Sequence, residues 1–191
     1  MPQKRVGKPK QARAARRRRA RTAVVSGLSA AGTRGVVRLG VLNLPCALGR
    51  RGRRARKHEG DGATPVGSWQ TLRVLYRADR IRRPMTGLPV KPIGRDDGWC
   101  DAPTDRNYNR PVRLPYAASA ETLWRTDRLY DIVVVLSHNT RPRVRGFGSA
   151  IFLHVAKSGY APTEGCIALR REHLLAVLRT LNAAAVIRVL P

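Results

Sequence analysis

The sequence predicts a mainly β domain with one packed C-terminal helix. Three observations predict it: six or seven short β-branched or apolar runs bounded by turn residues, a single segment with helical spacing, and no repeated strand–helix–strand alternation. At 191 residues the chain holds one ordinary domain with a core, plus a tail. The division expected is a basic, disordered tail over 1–32 and a folded domain over 33–191.

The elements follow in order. "GVVRLGVLNLPCALGR" predicts a hairpin of Val36–Val41 and Leu44–Leu48 around Leu42-Asn43, with Cys46 as a small buried hydrophobe in the second strand. Five arginines and a lysine then precede Gly60, Gly62, Pro65 and Gly67, which predicts a loop. "WQTLRVLYR" predicts a strand with Leu72, Val74 and Tyr76 on one face by period-two alternation. Residues 81–119, rich in Pro, Gly, Asp and Asn, predict a long loop that walls a site, because structureless stretches of that length inside a domain are usually functional or flexible. A short helical or turn segment leads into Ile132–Leu136, apolar on both faces and therefore a central strand, and "GSAIFLHVA" is a second of that kind. "REHLLAVLRTL" places Leu174, Leu175, Val177, Leu178 and Leu181 at helical spacing, and "AAVIRVL" is a closing strand.

The formal charge is +26, and 18 of the 38 Lys and Arg fall within residues 1–57, where no acid occurs. The first 22 residues are almost without apolar content, and Arg16 to Arg19 repel one another in any compact state, which predicts a disordered tail able to attract polyanions. The folded part lacks the interleaving of aromatic and basic residues found in RNA-binding sheets, so no specific nucleic acid is expected. No run approaches the ~18 apolar residues of a membrane-spanning helix. "TAVVSGLSAAG" imitates a secretory pattern but is short and weakly hydrophobic. Cys46, Cys100 and Cys166 are too few for a disulfide scaffold, and no Cys/His cluster has zinc-ligand spacing, so neither metal nor cofactor is expected.

The chemistry concentrates in "HVAKSGYAPTEGCIAL". Cysteine catalysis needs a thiolate, a base to generate it and donors for an oxyanion. His154 ends the predicted strand Ala150–Leu153, Gly165 lets backbone approach a ligand closely, and Cys166 precedes an apolar run that would hold Sγ at the mouth of a site. A lone Cys near a lone His is by itself more often packing than catalysis.

The segment His154-x8-Thr163-x-Gly165-Cys166 resembles the signature of the L,D-transpeptidase catalytic domain, the YkuD-type domain, and "GDGATPVGSW" resembles that family's TP-x-G loop through Thr64, Pro65 and Gly67. The resemblance runs from about residue 35 to the C-terminus. Two departures stand out: only eleven residues separate His154 from Cys166, and Glu164 occupies the place of the family's usual histidine. The resemblance implies a β-sandwich of mixed sheets with a packed C-terminal helix and a long site-lining loop. It implies Cys166 as nucleophile, His154 as base and then acid, and the N–H groups of Gly165 and Cys166 as oxyanion donors. Around the substrate it implies Thr163, Glu164, His138, Asn139, Tyr160, Thr64 and Pro65. For Glu164 the alternatives are a contact to an imidazolium or acceptor amine, or an ion pair with one of the many arginines. For His138 and Asn139 they are groove lining, orientation of the catalytic imidazole, or strand-end capping. The implied partners are peptidoglycan stem peptides, at a periplasmic or cell-wall location, with the basic tail able to hold anionic envelope polymers. The competing readings are an L,D-carboxypeptidase, a polyanion binder, and an inactive fold that only binds cell-wall peptides. An activated Cys166 would alkylate well below the pH of a free thiol.

Overall fold

The computed structural model describes residues 21–29 and 32–191. The arginine block and the rest of the predicted tail before residue 21 lie outside them. Fourteen strands, β1 to β14, and one α-helix, α1, are described. The first strand, β1 (Thr22–Gly27), falls inside the stretch assigned to the tail. It pairs with two neighbours, and Ala23 and Val25 are fully buried, so the folded unit begins ahead of the expected boundary at residue 33.

The predicted hairpin is β2 (Arg34–Leu39) and β3 (Leu42–Ala47), but its turn is Gly40-Val41 rather than Leu42-Asn43. Gly40 takes φ +60°, which glycine adopts without a Cβ penalty, and Val41 is fully exposed at the tip. Two short strands, β4 (Arg53–Arg54) and β5 (Thr64–Pro65), form a small parallel pair, and β6 (Gly67–Tyr76) follows. The stretch 81–119, expected as loop, instead carries β7 (Val90–Pro92), β8 (Asp97–Cys100) and β9 (Arg110–Arg113). The last two join β10 (Ala120–Thr122) in a three-stranded antiparallel sheet, so turns and strand 120–122 replace any helix before Ile132. The remaining elements are β11 (Ile132–Leu136), β12 (Phe152–Val155), β13 (Ile167–Leu169), α1 (Arg171–Thr180) and β14 (Val186–Val189).

The main sheet runs β11-β12-β13-β3-β2-β1-β14-β6-β7, and β11 also pairs with β6, so the first eight strands of this order close on themselves over a core while β7 stays at an edge beside β6. This is the mainly β, mixed-sheet architecture with one packed helix that the sequence predicts. Strand alternation divides the apolar residues between two clusters. Ile132, Val134 and Leu136 face the larger one with Leu153, Ile167 and Leu169, and α1 adds Leu174, Val177 and Leu178, with Leu181 just past its end. The opposite side chains, Val133, Val135, Phe152 and Cys166, join Leu75, Trp99, Leu123 and Tyr130 in a second cluster under the small sheet. Strands that are apolar on both faces thus serve two cores at once. The alternation expected for β6 fails: a register shift opposite Val135 and Leu136 leaves Leu72 unpaired, so Leu72 and Leu75 share the second cluster while Val74 faces the first.

Candidate active site

Strands β12 and β13 are parallel neighbours, with His154 beside Ala168. Side chains two apart along a strand share a face, so His154, Ala168 and Cys166 point to the same side, and His154 lies inside β12 rather than at its end. Both His154 and Cys166 line a cavity of about 440 Å³ between the main sheet and the small one.

Cys166 is 9% exposed. Its Sγ accepts the Phe152 N–H at 3.4 Å and donates to the Ala150 carbonyl at 3.2 Å. Burial pushes its thiol up to about 12, and the nearby Glu121 carboxylate adds to that effect. The resting group is therefore a thiol, not the thiolate an activated cysteine would carry. His154 Nδ1 lies 2.9 Å from the Val155 carbonyl oxygen. A carbonyl only accepts, so Nδ1 carries the hydrogen and Nε2 keeps its lone pair. Burial lowers the imidazole to about 4, and the positive charges of Arg125 and Lys157 oppose protonation further. Among the described residues no hydrogen bond joins His154 to Cys166, and the resting pair is neutral.

The turn before Cys166 is held by Thr163. Its hydroxyl donates to the Cys166 carbonyl at 2.6 Å and accepts the Gly165 N–H at 3.2 Å. Gly165 sits at φ +131°, and a Cβ there would lie 2.8 Å from the Ala63 carbonyl oxygen, so the position requires glycine. Ala150 also takes a left-handed conformation, φ +50°, and turns its carbonyl toward Cys166. Its N–H donates to Asn109 Oδ1 at 3.1 Å. Asn109 is almost wholly buried. Its Oδ1 also accepts from Trp99 Nε1 at 2.9 Å, and its Nδ2 donates to the carbonyls of His138 and Asn139 at 3.1 and 2.8 Å.

Of the remaining residues expected around a substrate, Thr163 and Glu164 line the cavity. Glu164 pairs with Arg50 at 2.7 Å in an exposed ion pair, the second of its two sequence readings. The other five do not line it. His138 packs edge-on against Trp69 at 4.7 Å, with Nε2 2.9 Å from the Phe147 carbonyl, so it neither lines the cavity nor orients His154. Asn139 closes its own loop through hydrogen bonds with Val144 and Gly148. Thr64 Oγ1 accepts the Gly49 N–H at 2.8 Å, the Pro65 carbonyl accepts from Trp69 Nε1 at 3.1 Å, and Tyr160 lies under Arg170.

The lining includes several residues that sequence reasoning missed. Glu59, Asp101 and Glu121 line the cavity beside the expected Glu164, so four of the chain's 12 acids do, and Arg125 and Lys157 line it too. The Tyr130 hydroxyl donates to Glu121 Oε1, and the Tyr130 ring meets His154 edge-on at 5.4 Å. Burial raises the Glu121 carboxyl. The scarcity of acids in so basic a chain was the available signal for these positions. Nothing in the local pattern marks Asn109 or Ala150. No group of three or more His, Cys, Asp or Glu able to hold a metal ion occurs among the described residues.

A family model described as the L,D-transpeptidase catalytic domain, YkuD, matches residues 31–189. No curated protein matches the chain. Matching solved structures include L,D-transpeptidase 1 of Mycobacterium tuberculosis, at 14% identity and TM-score 0.42, over 90% of this chain and 62% of that one. Another is L,D-transpeptidase 3 of the same organism in complex with a faropenem-derived adduct, at 14% identity and TM-score 0.43, over 90% of this chain and 60% of that one. The chain therefore spans about three-fifths of the length of these structures.

Proposed function

Since the chain belongs to the L,D-transpeptidase catalytic-domain family, we propose that it transfers acyl groups between peptidoglycan stem peptides through a thioester on Cys166. The observation that carries this reading is the placement of His154 on β12 and of Cys166 immediately ahead of its parallel neighbour β13, in one cavity, with the His154 tautomer fixed by the Val155 carbonyl.

Because both groups rest neutral, the proton moves as attack occurs rather than beforehand. As Sγ bonds to the carbonyl carbon at the L-centre of the diamino acid in a tetrapeptide stem, the thiol proton passes to His154 Nε2. The developing oxyanion is met by backbone N–H groups at Gly165 and Cys166, once Thr163 Oγ1 yields or shares its bond to Gly165. Loss of one such donor typically costs on the order of 10²–10³ in rate. The C–N bond then breaks, and the imidazolium gives its proton to the departing terminal D-alanine. An amine of a second stem attacks the thioester, its proton goes to His154, and the thiol is regenerated with the cross-link formed. The carboxylates of Glu59 and Asp101 suit an incoming amine that arrives as an ammonium ion and gives up its extra proton to one of them before it attacks. Water in place of the amine gives L,D-carboxypeptidase action from the same acyl-enzyme. The site of action follows the substrate, at the cell wall or in the periplasm.

Release of D-alanine from a disaccharide-tetrapeptide tests the reading. Wild-type protein is expected to release it and Cys166→Ala to release none while keeping its fold; equal release by both would end the proposal.

A further inference from the structure

A second cavity, of about 1080 Å³, opens beside the small sheet, and Arg73, Lys91, Arg110, Arg141 and Arg143 all line it. No acidic residue does. Elsewhere in the fold, arginines meet carboxylates, as Arg50, Arg77, Arg80, Arg113 and Arg125 do, but Arg73, Lys91, Arg110, Arg141 and Arg143 have no such partner among the described residues. Arg143 Nε is buried without any hydrogen bond. Burial lowers the Arg143 guanidinium, and the like charges of Arg110 and Arg141 lower it further. Five cations gathered in one concavity without counter-charge repel one another, and an anion placed among them would relieve that repulsion. Guanidinium groups in particular match phosphate or carboxylate in a bidentate fork.

The only aromatic side chain in this lining is Trp99, which is 4% exposed and tied to Asn109, so no stacking platform for nucleic-acid bases is available. Asn109 lines the groove as well, and its Oδ1 accepts from Ala150, a residue of the Cys166 cavity. The two cavities are therefore neighbours across one hydrogen bond.

We propose that this groove binds a ligand bearing two or more oxyanion groups, phosphate or carboxylate, through Arg110, Arg141 and Arg143 with Arg73 and Lys91. The oxyanions come either from a free polyanion or from the carboxylates of a stem peptide whose reacting end lies at Cys166.

The test is calorimetric titration of the full chain, in the Cys166→Ala background so that turnover plays no part, at about 150 mM salt, where long-range charge is screened. The probes are sodium tripolyphosphate and a tetrapeptide stem. The variants are Arg110→Gln/Arg141→Gln, both exposed positions, and Arg143→Gln, with Arg82→Gln/Arg83→Gln as a control that removes the same charge from exposed positions outside the groove. The groove variants are expected to weaken binding of at least one probe by about 10-fold or more while the control does not. Weakening with tripolyphosphate alone assigns the groove to a separate polyanion, and weakening with the tetrapeptide assigns it to the substrate. Equal effects of groove and control variants, or no effect on either probe, would overturn the proposal.

Discussion

The Cys166 thiol donates its hydrogen to the Ala150 carbonyl, 3.2 Å away. That contact, together with burial that pushes the group up to about 12, keeps the proposed nucleophile neutral at rest. The resting protein should therefore alkylate at Cys166 more slowly than a free cysteine peptide at neutral pH, with the rate still climbing above pH 9. Peptide mapping of an iodoacetamide time course measures this. A fast rate with a plateau below pH 7 would show a preformed thiolate and contradict the neutral pair.

The buried imidazole gives a second prediction. His154 is lowered to about 4, so between that value and its ordinary 6.5 the unfolded chain binds more protons than the folded one. Stability from this group is fully present above about pH 6.5 and is lost as pH falls toward 4, by up to about 3 kcal/mol. Denaturant unfolding of wild type and His154→Gln across that range should show the slope in the first and a flatter profile in the second. Parallel profiles would contradict the assignment.

Gly165→Ala should fail twice. The added Cβ meets the Ala63 carbonyl oxygen at 2.8 Å, and φ +131° is a conformation that alanine resists. A cost on the order of 1–3 kcal/mol is expected, with the Cys166 loop displaced and acyl transfer reduced further than stability alone would explain. Thermal unfolding and a rate measurement on the folded fraction separate the two effects. A variant as stable and active as wild type would contradict the geometry.

Asn109→Ala would leave Trp99 Nε1, the Ala150 N–H and two carbonyls without their partner. Buried groups left unpaired cost about 1–3 kcal/mol each before relaxation, so a loss of roughly 3 kcal/mol is expected. Because Ala150 holds the thiol hydrogen, kcat should fall as well. Stability within about 0.5 kcal/mol of wild type, the range of a neutral surface change, would contradict this role.

Much of the fold is legible in the sequence because its central strands are apolar on both faces. Ile132–Leu136 reads as a strand between two cores, and the structure divides its side chains between them in that way. The helix is legible because Leu174, Val177 and Leu178 recur at a period its packing needs. Leu72 and Val74 defeat the same reasoning, since the one-residue bulge in β6 depends on its register against β11 and not on any local pattern. Thr22–Gly27 is obscured by the arginines before it, although Ala23 and Val25 alternate inward as a strand requires. In the site, His154, Cys166 and Gly165 are legible because chemistry and a turn coincide within thirteen residues. His138 misleads because closeness to a strand end does not say which loop a side chain serves. Asn109 and Glu121 are invisible because contacts to Ala150 and Tyr130 depend on how the small sheet covers the large one.

The most direct test of the central claim is intact-protein mass spectrometry after incubation with a disaccharide-tetrapeptide. The account predicts an adduct of the stem less its terminal D-alanine, mapped to Cys166, absent in Cys166→Ala and discharged when an acceptor stem is added. A protein that cleaves or cross-links stems with no adduct on Cys166, or with full activity in Cys166→Ala, would contradict it.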